Sequence, residues 1–108
     1  MKRRLALDEE TISASLQALS RALAALGKAE DVRAFLQDLC TPAELEAMTD
    51  RWRVVPLLLK GVPYREIHDL TEVSVTTIGR VARTLESGTG GYAAALRRQQ
   101  SRPNSASH

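Results

Sequence analysis

The sequence predicts an all-α protein. Apolar residues recur at helical spacing in successive segments, and one segment opens on a complete helix-capping signature. Aromatics are 4% of the 108 residues, which leaves Leu, Val and Ala to fill a core of packed helices. At this length the expectation is a single domain, about residues 1–99, with a core modest enough for an oligomer interface to help stabilise it.

Leu16, Leu19, Leu23 and Leu26 are spaced by three and four residues, predicting an amphipathic helix from near Asp8 to a stop at Gly27. A second helix is expected from Glu30 to Leu39, with Val32, Phe35, Leu36 and Leu39 on one side. In "TPAE", Thr41 takes the N-cap, Pro42 the first helical position and Glu44 the third place after the cap, the pattern of a capping box. That helix runs through Leu45, Met48, Trp52, Val55 and Leu59 to Gly61. Pro56 falls inside it and removes a backbone donor, so a kink or local break is expected. In "PYREIHDL", Pro63 is pre-set for the first turn of a short helix that turns Ile67 and Leu70 inward.

The next stretch, "LTEVSVTTIGR", is rich in β-branched residues, which by propensity favours a strand. Periodicity decides for helix. At ~100° per residue, Val75, Ile78, Val81, Ala82 and Leu85 gather on one side and Thr76, Arg80 and Arg83 on the other. A two-residue period mixes the two classes. With Ser74 as N-cap, the helix spans about Ser74 to Glu86. Gly88, Gly90 and Gly91 end the pattern, "YAAAL" and "RRQQ" can add a terminal helix, and residues 100–108 form a polar tail expected to be disordered.

Several function classes drop out. The longest apolar runs, such as "VVPLLL", are far too short to span a bilayer, and acids follow the N-terminal "MKRRLAL" before any signal-type apolar region, so a cytoplasmic protein is expected. The lone Cys40 excludes an intrachain disulfide and reads as a small, buried residue. Only His68 and His108 could join it in binding metal, and neither stands at ligand or catalytic spacing. No Ser/His/Asp set, carboxylate pair or phosphate loop is present, so neither an enzyme nor a metal site is expected. The net charge of +2 is unevenly spread: residues 71–108 hold five basic and two acidic side chains. That surplus hints at a polyanionic partner.

Two helices joined by a brief turn, at about 63–86, form a helix-turn-helix whose second helix suits a DNA major groove. Thr76, Thr77 and Gly79 keep its outer face low, while Arg80 and Arg83 project from it. Arg80 would read a base edge or bind phosphate, and Arg83 would mainly bind phosphate. The hydroxyls of Ser74, Thr76 and Thr77 and the helix N-terminal amides can hold phosphate or base edges; the plainer reading is a cap and neutral surface. Tyr64 and Arg65 open the first helix, where backbone contacts are common, and they fit ordinary surface equally well. Glu72 departs from the usual pattern, because glycine is common at this left-handed position and an acid there faces phosphates. Trp52 falls in register with Met48, Val55 and Leu59 and belongs to a core or dimer interface.

With "FLQDLCTPAELEAMTDRWRVVPLLLKG", "YREI", "VSVTTIGRVARTL" and "GTGGY", the chain from about Asp31 to Leu96 resembles the Trp repressor superfamily, and within it the Trp repressor-related proteins called YerC/YecD. The resemblance implies a six-helix fold that interlocks with a second copy, giving an intertwined homodimer. Its two recognition helices would read a near-palindromic operator in double-stranded DNA, with half-sites ~34 Å apart. It also implies a corepressor pocket, in which Thr41, Arg51 and Arg80 match polar positions and Thr84 replaces a serine. Val81 stands where the true repressor has glycine and would intrude on an indole, and "GVPYREI" is one residue shorter than its counterpart. Tryptophan is therefore not expected as corepressor. The function so implied is a DNA-binding transcriptional regulator acting as a repressor, with no cofactor. Two alternatives stay open: an amino-acid sensor with an altered pocket, and a protein-interaction module built on the same fold.

Overall fold

A computed structural model describes residues 8–101, which form six α-helices and no strand among the described residues: α1 (Glu9–Ala25), α2 (Ala29–Leu39), α3 (Pro42–Leu59), α4 (Tyr64–Thr71), α5 (Val75–Ser87) and α6 (Gly91–Ser101). They divide into two compact units between Thr41 and Pro42.

In the first unit α1 starts where the sequence places it. The Asp8 carboxylate caps the helix by accepting a hydrogen bond from the Thr11 amide at 2.9 Å. That bond, with help from the Thr11 side chain, holds the carboxyl below the ordinary Asp value. Glu9 and Glu10 add negative charge to the positive end of the helix dipole. Neither α1 nor α2 contains a buried residue. Leu19, Leu23 and Leu26 are half-buried, whereas Leu16, expected on the same face, is 63% exposed. On α2, Val32, Phe35 and Leu36 are half-buried and Leu39 is exposed. Cys40, expected to be buried, is half-buried; its amide closes α2 on Leu36 O at 2.9 Å.

The second unit is built around Val54 and Val55 of α3, Ile67 of α4, Val73 of the following turn, and Ile78 and Val81 of α5. Trp52, Leu57, Leu58, Val62, Leu85, Tyr92 and Leu96 pack around this cluster. α3 runs unbroken through Pro56, so the local break held open by the sequence does not occur. Proline removes only the donor that would have reached Trp52 O, and the packing of Val54, Val55 and Leu58 around it holds the helix together. Met48 and Leu59, expected in the buried register, are exposed. The inward stripe instead centres on the adjacent pair Val54 and Val55.

α3 ends in a Schellman motif. The Val62 amide donates to Leu57 O at 3.1 Å, the Gly61 amide donates to Leu58 O at 3.0 Å, and Gly61 takes the left-handed φ of 82° that the motif needs. α6 packs on α3 through Trp52 and Tyr92, whose ring centroids are 6.4 Å apart at 32°. Gln100 and Ser101, assigned to the tail by the sequence, form the last turn of α6. The remainder of the expected tail lies outside the described residues.

Gly88 closes α5, its amide donating to Thr84 O at 2.8 Å. A Cβ there would sit 2.7 Å from that carbonyl oxygen and 2.9 Å from Thr84 Cγ2, which requires the backbone to shift. Gly88→Ala should therefore destabilise the protein by ~1–3 kcal/mol in urea denaturation, while alanine at the open Gly27 position should leave the fold unstrained.

Candidate nucleic-acid interface

α4 and α5 are joined by only Glu72, Val73 and Ser74, and the backbone of this turn is held from several sides. Glu72 adopts the left-handed conformation anticipated for it, φ 66° and ψ 13°, and its amide donates to His68 O at 2.7 Å. Thr71 is buried and its hydroxyl serves twice, donating to Ile67 O at 2.7 Å and accepting from the Val73 amide at 3.1 Å. His68 Nδ1 donates to Val73 O at 2.8 Å, and Arg53 reaches across from α3 to give Thr71 O a bond of 3.1 Å. Arg53 also pairs with Asp50 at 3.5 Å. Satisfying these groups compensates the strain of a side-chain-bearing residue at positive φ.

The inward pattern anticipated for α4 needs one correction. Ile67 is fully buried, but Leu70 is 61% exposed. Thr71, one position on, takes the inward place because its hydroxyl is needed at the turn. Val75 also departs from the helical-wheel assignment, being 50% exposed at the start of α5. As the first helical residue it lies beyond the edge of the core, which begins with Ile78.

Ser74 caps α5 as anticipated. Its hydroxyl oxygen accepts from the Thr77 amide and its hydrogen goes to Thr77 Oγ1, both at 3.1 Å. The Ser74 hydroxyl is thus committed to the cap, and the Thr77 hydroxyl keeps its proton for another acceptor. Thr76, Arg80 and Arg83 are all exposed on α5, and among the described residues none of the three side chains has an ion pair. Gly79, expected to keep the outer face low, has side chains from α4 and α5 beside it. It is half-buried, and a Cβ there would meet Tyr64 Cε2 at 3.8 Å and Arg83 Nη1 at 3.7 Å. Tyr64, Arg65, His68 and Asp69 of α4 line an open groove of about 610 Å³ with Val75. The exposed residues of α4 and α5 therefore include Arg65, Arg80 and Arg83 beside Tyr64, Asp69, short hydroxyl side chains and the apolar Val75.

The residues matched to an effector pocket differ in their surroundings. Val81 is 1% exposed and belongs to the core. The Thr84 hydroxyl donates to Arg80 O at 3.1 Å, Arg51 is half-buried, and the Arg80 side chain is exposed. Thr41 closes the first unit. An open depression of about 290 Å³ between the end of α5 and the start of α6 includes Thr84 with Leu85 and Tyr92, but not Arg51, Arg80 or Val81.

Sequence reasoning missed Thr71, His68 and Arg53 as supports of the turn. The "HDLTEVS" spacing carried a signal for Thr71, since a threonine two residues before an amide in a tight turn is placed to accept from it. Arg53 carried none, because its bond to Thr71 O joins positions 18 residues apart. Among the described residues no helix is long and apolar enough to cross a membrane, and no cluster of His, Cys, Asp and Glu could hold a metal ion.

The chain is 35% identical over 83 residues to the uncharacterized protein YerC of Bacillus subtilis (strain 168), covering 77% of this chain and 80% of that one. Its fold matches the crystal structure of a Staphylococcus aureus protein described as a candidate Trp repressor, with a TM-score of 0.75 and 31% identity, covering 82% of this chain and 89% of that one. The family model for the Trp repressor protein matches residues 14–100, and with these relatives it establishes that the chain belongs to the Trp repressor family.

Proposed function

We propose that the protein is a sequence-specific DNA-binding transcriptional regulator that acts as a repressor. It works as a homodimer on a near-palindromic operator, through α4 and α5 used as a helix-turn-helix. The observation that carries this reading is the outer face of α5: Thr76, Arg80 and Arg83 stand exposed on a helix whose entry is locked by Ser74, Thr71, His68 and Arg53. A fixed helix presenting short side chains and two arginines suits insertion in a major groove, with the arginines reaching base edges and phosphates. The mechanism is steric: a bound dimer occupies promoter DNA. It needs no metal, cofactor or chemical step, and its place of action is the cytoplasm.

Selection of bound fragments from a random duplex library, with full-length protein at physiological salt, tests this. A near-palindrome with half-sites about one turn apart, ~34 Å, is the expected result. No enrichment over input would overturn unaided sequence recognition and direct attention to an effector or a protein partner.

Tryptophan is not the corepressor in this reading. Val81, standing where an indole would need room, fills its place with a side chain packed into the core. Titration calorimetry should accordingly show no saturable heat with L-tryptophan up to about millimolar concentration, a limit equal to ~4 kcal/mol of binding free energy. Saturation below that concentration would reverse the conclusion.

A further inference from the structure

We propose that Tyr64 and Arg83 together form one phosphate-binding site that bridges α4 and α5 across Gly79. This rests on the DNA-binding reading and deepens it, by identifying where both helices hold the same point of the backbone.

The starting observation is the missing side chain at Gly79. A Cβ there would lie 3.8 Å from Tyr64 Cε2 and 3.7 Å from Arg83 Nη1, so an aromatic ring from the first turn of α4 and a cation one turn along α5 converge on one bare point. A side chain extending past Cβ at position 79 would compete with both for that space. Both side chains stay open to solvent, Tyr64 at 42% exposure. Among the described residues neither the Tyr64 hydroxyl nor the Arg83 guanidinium is tied up in a hydrogen bond or ion pair; even Glu86, three residues beyond Arg83, is not paired with it.

The donors so left available are a neutral O–H on one helix and a planar cationic fork on the next. A base edge is best read by coplanar donors from a single side chain. Donors arriving from two separate helices suit a tetrahedral phosphodiester, whose two non-bridging oxygens can be taken from different directions. The guanidinium supplies the charge-assisted bond and the hydroxyl a weaker one. Because the grip involves both helices, it fixes how α4 and α5 sit against the duplex, and Gly79 leaves the space beside both side chains open.

The test is a double-mutant cycle on the full-length protein with the duplex most enriched in the random-library selection, reading the dissociation constant over a range of KCl. The variants are Tyr64→Phe, Arg83→Ala and the double substitution. Phenylalanine keeps the ring against Gly79 and removes only the hydroxyl, and thermal unfolding of each variant checks the fold. Arg83→Ala should weaken binding about tenfold and lower the salt slope by about one, whereas Tyr64→Phe should weaken it about threefold with the slope unchanged. In the Arg83→Ala background the Tyr64→Phe loss should shrink to less than half its size on a logarithmic scale, since the phosphate is no longer held for the hydroxyl. An equal loss in both backgrounds means two independent contacts and overturns the shared site while leaving DNA binding intact. Wild-type protein that shows no salt-dependent duplex binding overturns the functional reading itself, and this site with it.

Discussion

Replacing Ile78 by alanine should lower the free energy of unfolding by ~2–5 kcal/mol. Ile78 is fully buried where α3, α4 and α5 meet, among Val54, Val55, Ile67 and Val81. Truncation removes three carbons' worth of transfer free energy and leaves a cavity that these β-branched neighbours, stiff at χ1, cannot readily fill. In a chain of this size the loss is a large part of the total stability and corresponds to a drop in Tm of at least ~10 °C. Ile78→Val, which removes one methyl, should cost only ~0.5–1.5 kcal/mol. Leu70→Ala and Val75→Ala provide the contrast, because both side chains stand largely in water and each change should stay within ~0.5 kcal/mol. Urea denaturation of the four variants ranks them; a loss at Leu70 as large as that at Ile78 would contradict the inward and outward faces described for α4.

That contrast marks the limit of what periodicity could show. The existence and order of the helices were legible because their ends carry local chemistry: Asp8 and Ser74 cap with their own side chains, and Gly61 ends α3 in the conformation glycine tolerates best. The turn at Glu72 was legible for the same reason, the spacing demanding a left-handed residue whatever its identity. Core membership is less local. A helical wheel assigns Leu70 and Val75 inward because they are apolar and in phase, but it is blind to the hydrogen-bonding needs of the turn between them. Those needs turn Thr71 inward, and the core begins only at Ile78. Pro56 shows the converse, since the propensity cost of proline was legible while the packing that offsets it was not.

The candidate interface divides in the same way. The exposure of Thr76, Arg80 and Arg83 followed from the period of α5 alone, because hydrophilic residues opposite Ile78 and Val81 have nowhere else to go. The fates of Ser74, Thr77 and Gly79 depended on neighbours in space. Two hydroxyls that looked available for DNA engage each other at the cap, and a glycine that looked open lies beneath a tyrosine from the preceding helix. Arg53 had no role legible in the sequence, yet it secures the turn between α4 and α5 from 18 residues away.

Arg80→Ala should weaken binding to the operator by ~1–3 kcal/mol, about 5- to 150-fold, with the fold unchanged. Arg80 lies on the exposed side of α5, and its guanidinium has no ion pair among the described residues. Its backbone carbonyl accepts from the Thr84 hydroxyl at 3.1 Å, a bond that alanine retains, and alanine is the better helix former. The form of the loss identifies the contact. If the guanidinium spans a guanine edge, discrimination at one base pair of each half-site disappears with the affinity. Arg80→Lys then fails to restore it, because an ammonium keeps the charge without the planar fork. If Arg80 instead holds phosphate, all duplexes weaken alike, the salt slope falls by about one, and lysine recovers most of the binding. Measuring the three proteins against the operator and single-base variants at two salt concentrations separates these cases. An alanine variant that binds every duplex as tightly as wild type would remove Arg80 from the interface and leave the charge of α5 resting on Arg83 alone.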